Sequence, residues 1–437
     1  MKRAPISLRL PSTLAALLAA LLTSACLLSA PALAADLPTP GDDDAQNAAA
    51  QAVQLDLYQE AMQSIAEGRQ LEASRTLAKM IAQGPANAGE WLDLGMLQCA
   101  LGNREEAEQI FQNIERRFDP PKGIRDIIDQ QRIQGCYVWQ AHSQWALTVA
   151  RGFDRNVNQG ASNPLYTIGD GAGGSGGTLE LLPEYLPQAD RYSVISADYL
   201  RDLDQNGTLG FMQLYVRHND ALSRYNTISL YGGAERAWRF KRWQVRATGA
   251  LGALSLGGQL YQKQVQLQGR VTPPLTLPKG MEWTLMGGLT HMSYQTLSNF
   301  DANISELRNT LSYRADAYQT QLSVGWQNDH AVSSRPGGDR QGASAGVFVH
   351  GKLWRQFEGE LDWTLQRWNG ASAYSPGVID VVRRQDTRAL RAALLYPVSA
   401  NSTVQLEWRQ VHNRENISIF QYDNRQLQLS WRWQDGR

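Results

Sequence analysis

From Trp145 to Trp433 the chain repeats one pattern, in which apolar and polar residues alternate with a period of two. In the stretch Thr403 to Val411, Val404, Leu406 and Trp408 fall on one face, and Gln405, Glu407 and Arg409 on the other. The same holds for Leu427, Leu429, Trp431 and Trp433 against Gln428, Ser430 and Arg432. Successive side chains of a strand point to opposite sides of its sheet, so each such segment reads as a strand between one apolar and one polar surroundings. Segments of this kind fall at 145–153, 190–202, 207–218, 224–238, 242–253, 259–271, 281–293, 305–315, 318–329, 342–353, 357–368, 385–396, 403–412 and 421–433. A soluble sandwich also alternates, so alternation alone does not choose between the two. An even number of strands does discriminate, as does a length that crosses a bilayer at a tilt.

The connections point the same way. Leu203–Asn206, Arg239–Lys241, Ala317, Trp354–Gln356 and Pro397–Ser402 are short. The segments 154–189, 294–304, 330–341, 369–384 and 413–420 are long. With two modest exceptions, long and short alternate, as external loops and periplasmic turns do in outer-membrane barrels. An open sheet edge in hydrocarbon would leave N–H and C=O groups unpaired at several kcal/mol each, so the sheet is expected to close. Twelve of the 13 Trp lie after residue 136. Trp238, Trp243, Trp354, Trp368 and Trp433 sit near strand ends, where interfacial girdles would place them. The mean hydropathy of -0.40 looks soluble, but half of every barrel strand faces a polar interior. The fold class expected is therefore α + β in two domains, a helical module followed by a 14-stranded antiparallel transmembrane barrel over 137–437.

The N-terminus reads as a secretory leader over 1–34. Lys2, Arg3 and Arg9 form its charged region, and Ala32-Leu33-Ala34 its cleavage site. Leu22 to Cys26 faintly resembles a lipobox, which would lipidate Cys26 instead. Residues 35–50 read as a linker, and 51–134 as a helical periplasmic domain. The formal net charge of 0 hides a split: residues 35–135 carry 9 basic and 17 acidic side chains, and 136–437 carry 30 and 25. A solvated helical surface explains the acidic half. Cleavage at Ala34 leaves Cys99 and Cys136, an even pair that an exported chain is free to oxidise.

In the helical region Gly68 and Gly102 lie 34 apart, as do Ala73 and Ala107. Trp91, Leu94, Gly95, Gly102, Ala107 and Phe111 resemble the tetratricopeptide (TPR) consensus, with Gln98 in place of its Tyr. A weaker repeat precedes it, and 122–134 reads as a capping helix. Two repeats fall short of the roughly three usually needed for stability. By the repeat register Tyr58, Met62, Leu92, Met96 and Cys99 face a groove, which would hold a client segment unless they are core packing.

A helical segment, then Gly152-Phe153-Asp154-Arg155-Asn156-Val157-Asn158, then fourteen strands ending in the Asn413–Arg425 hairpin, resembles the surface lipoprotein assembly modifier (Slam) family. Members are outer-membrane barrels with periplasmic TPR domains that help move client proteins to the cell surface. The resemblance implies a translocation factor that recruits a client protein in the periplasm and promotes its export or display at the cell surface, embedded in outer-membrane lipid and working as a monomer without nucleic acid. Asp154, Asn156 and Asn158 alternate like the start of a Ca²⁺ loop, but the Gly and closing Glu of an EF-hand are missing, so rim hydrogen bonds to loop backbone are expected. The glycine run 169–177 lacks the Lys of a phosphate loop. Six His are scattered without zinc spacing, and no nucleophile–base pair is visible, so no catalytic residue, metal or cofactor is assigned. Glu358 and Glu360 share one strand face and read as solvated lumen. The rival reading is a TPR-linked exopolysaccharide-export porin. Arg217, Arg246, Arg367 and Arg391 would then line a path for an anionic polymer.

Overall fold

The computed structural model describes residues 56–66, 69–138, 140–167, 177–240 and 242–435. The expected leader, linker and Cys26 lie outside the described residues, as do Gly68 and all of the glycine run except Gly177.

Five helices come first: α1 over residues 56–66, α2 Gln70–Ala82, α3 Ala88–Ala100, α4 Arg104–Phe118 and α5 Lys122–Gln134. Asn87 starts α3, its Oδ1 accepting from the Glu90 amide at 3.0 Å, while Glu90 Oε2 accepts from the Ala86 amide at 2.9 Å. This reciprocal arrangement satisfies amides that a helix start leaves open. Gly95 admits Phe111, because a Cβ there would lie 2.6 Å from its ring. Two apolar clusters result. Ala61, Ala73, Leu77, Met80, Leu94 and Leu101 form one, and Trp91, Leu92, Ala107, Phe111, Ile114 and Ile128 belong to the other. Arg132 of α5 binds Glu108 and Glu115 of α4, each at 2.9 Å. The Arg132 hydrogen bond, opposed by some burial, holds the Glu108 carboxyl below its ordinary range. Cys99 and Cys136 are joined by a disulfide that locks α3 to the segment after α5.

The groove expected on this module does not open. Leu92 is buried, Met96 packs on the same cluster, Cys99 is tied up in the disulfide, and Tyr58 packs on the other cluster. Of the five candidate groove residues only Met62 is exposed, at 42%. The reason is α5, which packs against α3 and brings Ile124 and Ile128 onto the cluster that includes Leu92.

The remaining chain forms β1 Ser143–Asp154, a small hairpin of β2 Leu165–Thr167 and β3 Thr178–Glu180, then β4 Asp190–Asp202, β5 Thr208–Asn219, β6 Thr227–Phe240, β7 Trp243–Leu256 and β8 Gln259–Thr272. β9 Met281–Tyr294, β10 Ala302–Arg314, β11 Tyr318–Ala331, β12 Arg340–Trp354, β13 Phe357–Ser375, β14 Ile379–Ser399, β15 Ser402–Glu415 and β16 Tyr422–Gln434 complete it. All but β2 and β3 make one closed antiparallel barrel of fourteen strands, each paired with its chain neighbour, and β1 closes on β16. Every expected strand is present. The expected loop 369–384 is instead mostly strand. β13 and β14 run on to a turn at Pro376-Gly377-Val378, with irregular register beyond Asn369. Gly377, at φ 84, takes the left-handed position this tight turn requires.

The register fixes the faces. Val404, Leu406 and Trp408 of β15 stand beside Trp431, Leu429 and Leu427 of β16. Together with Leu251, Leu267, Leu289, Leu307 and Val324 they make an exposed apolar exterior, each of these five at least 49% exposed. Such a belt around a closed barrel belongs in lipid, and the barrel is of the outer-membrane type. Among the described residues no helix is long and apolar enough to cross a membrane. Aromatic pairs ring the end that carries the short turns: Trp145 with Trp433, Tyr313 with Tyr318, Phe357 with Tyr396. Trp368 does not belong to this ring. It pairs with Gly342 and faces inward, where a Cβ on Gly342 would meet its ring at 2.7 Å. Leu406→Arg should therefore destabilise the barrel by about 2–4 kcal/mol, the cost of an arginine at lipid depth. Gln405→Arg, one residue away on the inner face, should cost far less. Heat-modifiable migration of the two variants checks this, and equal shifts would mean that the faces are reversed.

The helical module and the barrel meet at one turn. No side chain of α2 caps its N-terminus. The Leu71 amide donates to Asn206 Oδ1 at 3.1 Å and the Gln70 amide to the Gln205 carbonyl at 3.4 Å, both on the β4–β5 turn. Asp204 shapes that turn by accepting from the Asn206 amide at 2.7 Å and the Thr208 hydroxyl at 2.6 Å. The barrel thus supplies the cap that α2 lacks.

Candidate functional site

The segment Gly152 to Asn158 ends β1 at the long-loop rim, and the side chains of Asp154, Asn156 and Asn158 are spent there. Asp154 is 2% exposed. Its Oδ2 accepts from Arg217 of β5 at 2.7 Å and from Gln426 of β16 at 2.9 Å, while Oδ1 accepts from the Asn156 amide at 3.0 Å. Asn156 donates to the Gly160 and Asp423 carbonyls, both at 3.0 Å, and accepts from the Gly160 amide at 2.7 Å. Asn158 donates to the carbonyls of Glu184 and Leu186 and accepts from the Gln188 amide. The three residues are brought together as a rim staple that binds loop backbone. Among the described residues no group of His, Cys, Asp and Glu is arranged to hold a metal ion.

Gly152 has its own reason. Tyr192 of β4 lies across β1 so closely that a Cβ on Gly152 would sit 2.4 Å from its ring. The Tyr192 hydroxyl then reaches β16, donating to Gln428 at 3.2 Å, and the Arg217 guanidinium stacks on its ring at 4.0 Å. Asp154 and Tyr192 therefore hold the seam where the first strand meets the last. Both fastenings lie at the long-loop end of the seam.

Above the rim, Tyr166 of β2 is buried with Ile379 of the β13–β14 hairpin and Ile417 of the β15–β16 loop. Three loops share a pattern that the sequence reading missed: Leu222-Ser223-Arg224-Tyr225-Asn226, Leu297-Ser298-Asn299-Phe300-Asp301 and Ile417-Ser418-Ile419-Phe420-Gln421. Each forms a single 3₁₀ turn. In the first two the closing Asn226 or Asp301 accepts from the amide ending the preceding strand, at 2.8 and 2.7 Å. The signal was an aliphatic-Ser-x-aromatic-polar repeat at hairpin tips.

Inside the barrel several charges are paired, whereas the inward Arg270, Asp362 and Arg409 stand outside these pairs. Arg391 donates to Glu407 at 2.6 Å and to Glu360 at 2.8 Å, Arg246 to Glu235 at 3.0 Å, and His350 meets Glu358 at 3.2 Å. The arginine path expected for an anionic polymer is not there. Arg217, Arg246 and Arg391 are held by carboxylates, and Arg367 points outward to Asp386. Its parity shows why: it stands an odd number of residues from Glu360, hence on the other face of β13.

No family model and no curated protein matches the chain. Solved barrels resemble it in fold. An anion-selective porin from Comamonas acidovorans is 10% identical, covering 68% of this chain and 99% of its own, with a TM-score of 0.36. The outer-membrane channel DcaP of Acinetobacter baumannii is 8% identical over 68% and 97%, TM-score 0.39. A FadL homologue of Pseudomonas aeruginosa is 8% identical over 68% and 91%, TM-score 0.38. Likenesses this distant bear on neither cargo nor mechanism.

Proposed function

We propose that this chain is an outer-membrane export factor whose helical module stands in the periplasm, receives a client protein at the short-turn mouth and promotes its passage to the cell surface. One observation carries the reading: the module is fixed to that mouth at two points, covalently through β1 and by α2's cap on the β4–β5 turn. A barrel needs no such appendage to sit in lipid. Short turns are the periplasmic end of outer-membrane barrels, and this supports a module standing where an exported client would arrive. The rim side chains Asp154, Asn156 and Asn158 brace the loops, which suits a conduit. Deleting 51–134 should leave a heat-modifiable barrel but abolish surface exposure of the client, read by protease shaving of intact cells. A deleted form that displays the client normally overturns the recruiting role. The second reading is export of a polysaccharide. It is favoured by the inward row of amides Gln262, Gln264, Gln266 and Gln268 on β8, which suits a hydroxyl-rich chain.

A further inference from the structure

On the outer face of β13 to β16 the apolar rows stop short of the long-loop rim, and arginines take over. Up β13, Leu361, Trp363 and Leu365 are followed by Arg367, and on β14, Leu394, Ala392 and Leu390 are followed by Arg388. On β15, Leu406 and Trp408 lead to Gln410, His412 and Arg414, and on β16, Leu429 and Leu427 lead to Arg425. Parity puts these arginines on the lipid side, opposite the inward Glu360, Arg391, Glu407 and Gln426. Arg384 adds another beyond Asp386. The acids on this face are Asp386 and Asp423. Asp386 accepts from both Arg367 and Arg388, at 3.1 and 3.2 Å, and Asp423 meets His412. Arg384, Arg414 and Arg425 are exposed, and among the described residues they have no ion-pair partner. Next to this sector β1 and β4 bring Arg151 and Arg191, against Asp220. The surplus is local. Towards the same rim, the outward rows of β7 to β12 hold Lys263, His291 and His330 but no arginine among the described residues.

We propose that Arg367, Arg388, Arg414 and Arg425 form a site for the phosphorylated headgroup of a lipid in the external leaflet. Position selects the occupant. The site stands at the upper edge of the apolar belt, where hydrocarbon gives way to headgroups, and Trp363, Trp408 and Leu427 lie beneath it as a floor for acyl chains. Charge selects the headgroup. A guanidinium is a planar fork of donors that matches phosphate oxygens two at a time, and this face holds more such forks than its own carboxylates engage. Neighbouring strands are about 4.8 Å apart, so arginines on four successive strands spread over roughly 14 Å, room for more than one phosphate. The inference rests on the placement of the barrel in the outer membrane and is independent of what the barrel carries.

The test uses the full chain in dodecyl maltoside micelles, with bound lipid counted by native mass spectrometry. The probes are lipid A with two phosphates, the same lipid with both phosphates removed, inorganic phosphate, and a polyglutamate peptide. The bisphosphorylated lipid should bind about tenfold or more tightly than the dephosphorylated one. The double variant Arg414→Gln, Arg425→Gln should lose about tenfold in that binding with heat-modifiable migration unchanged, since both side chains are exposed. Arg388→Gln should weaken it independently, which guards against a double variant that fails to fold. Lys263→Gln, across the barrel, should leave it as in wild type. Equal binding of the two lipids overturns the proposal, as does equal binding by wild type and the arginine variants, or an equal loss in Lys263→Gln. Inorganic phosphate bound as tightly as the lipid, through the same arginines, replaces the lipid by a free anion and overturns it too. Polyglutamate that displaces lipid A overturns it in favour of an acidic protein partner.

Discussion

Asp154→Ala is expected to lower sharply the temperature at which the barrel loses its heat-modifiable form. Asp154 joins β1, β5 and β16 through one carboxylate, and it is almost wholly buried. Its removal leaves Arg217 with a side chain only 16% exposed and without its ion-pair partner. Breaking a buried pair by deleting one partner costs about 3–5 kcal/mol, and the residual exposure of Arg217 puts this case near the lower figure. Asp154→Asn separates the two contributions, because it keeps an acceptor for the Asn156 amide and removes the charge and the acceptor that face Arg217 and Gln426. Arg217→Ala on the Asp154→Ala background should restore part of the loss, since no buried charge is then left over. A melting profile of Asp154→Ala that overlays the wild type would show that the seam is not held there.

The second large effect concerns the disulfide. Replacing Cys99 and Cys136 together with Ala should destabilise the helical module by roughly 3–4 kcal/mol in the chain-entropy model, given a sequence separation of 37. The bond ties α3 to the segment that leads into β1, so its loss frees α5 as well as the covalent attachment to the barrel. Helical circular dichroism of the full chain should melt earlier, with heat-modifiable migration unchanged. Quantitative thiol labelling of unreduced wild type would sink the expectation before any melting is done.

The barrel was legible because its cause is local and repeated. Each strand carries its own alternation, and neighbouring strands pair in chain order, so no long-range information is needed. The β13–β14 hairpin was misjudged because Gly370 and Pro376 read as loop punctuation, whereas pairing across the hairpin carries the strands past irregularities no single strand reveals. The expected groove failed for the opposite reason. The register correctly puts Leu92, Met96 and Cys99 along one side of α3, but nothing within the repeat says that α5 will cover that side. The inward arginines were visible, and their partners were not, because Arg391 meets Glu360 and Glu407 only through strand register. Arg367 and Trp368 are different: counting parity from Glu360 along β13 already puts them on opposite faces, Arg367 outward and Trp368 inward.

The cap that the β4–β5 turn gives to α2 ties the two halves of the molecule together in time as well as in space. Leu71 and Asn206 are separated by 135 residues, so the helix is made long before its acceptor exists. Until that hairpin is in place, the first amides of α2 have only water, and the helix start frays. The finished module is thus a record that β4 and β5 have paired. A chain stalled before that step carries a module whose second helix has an open start.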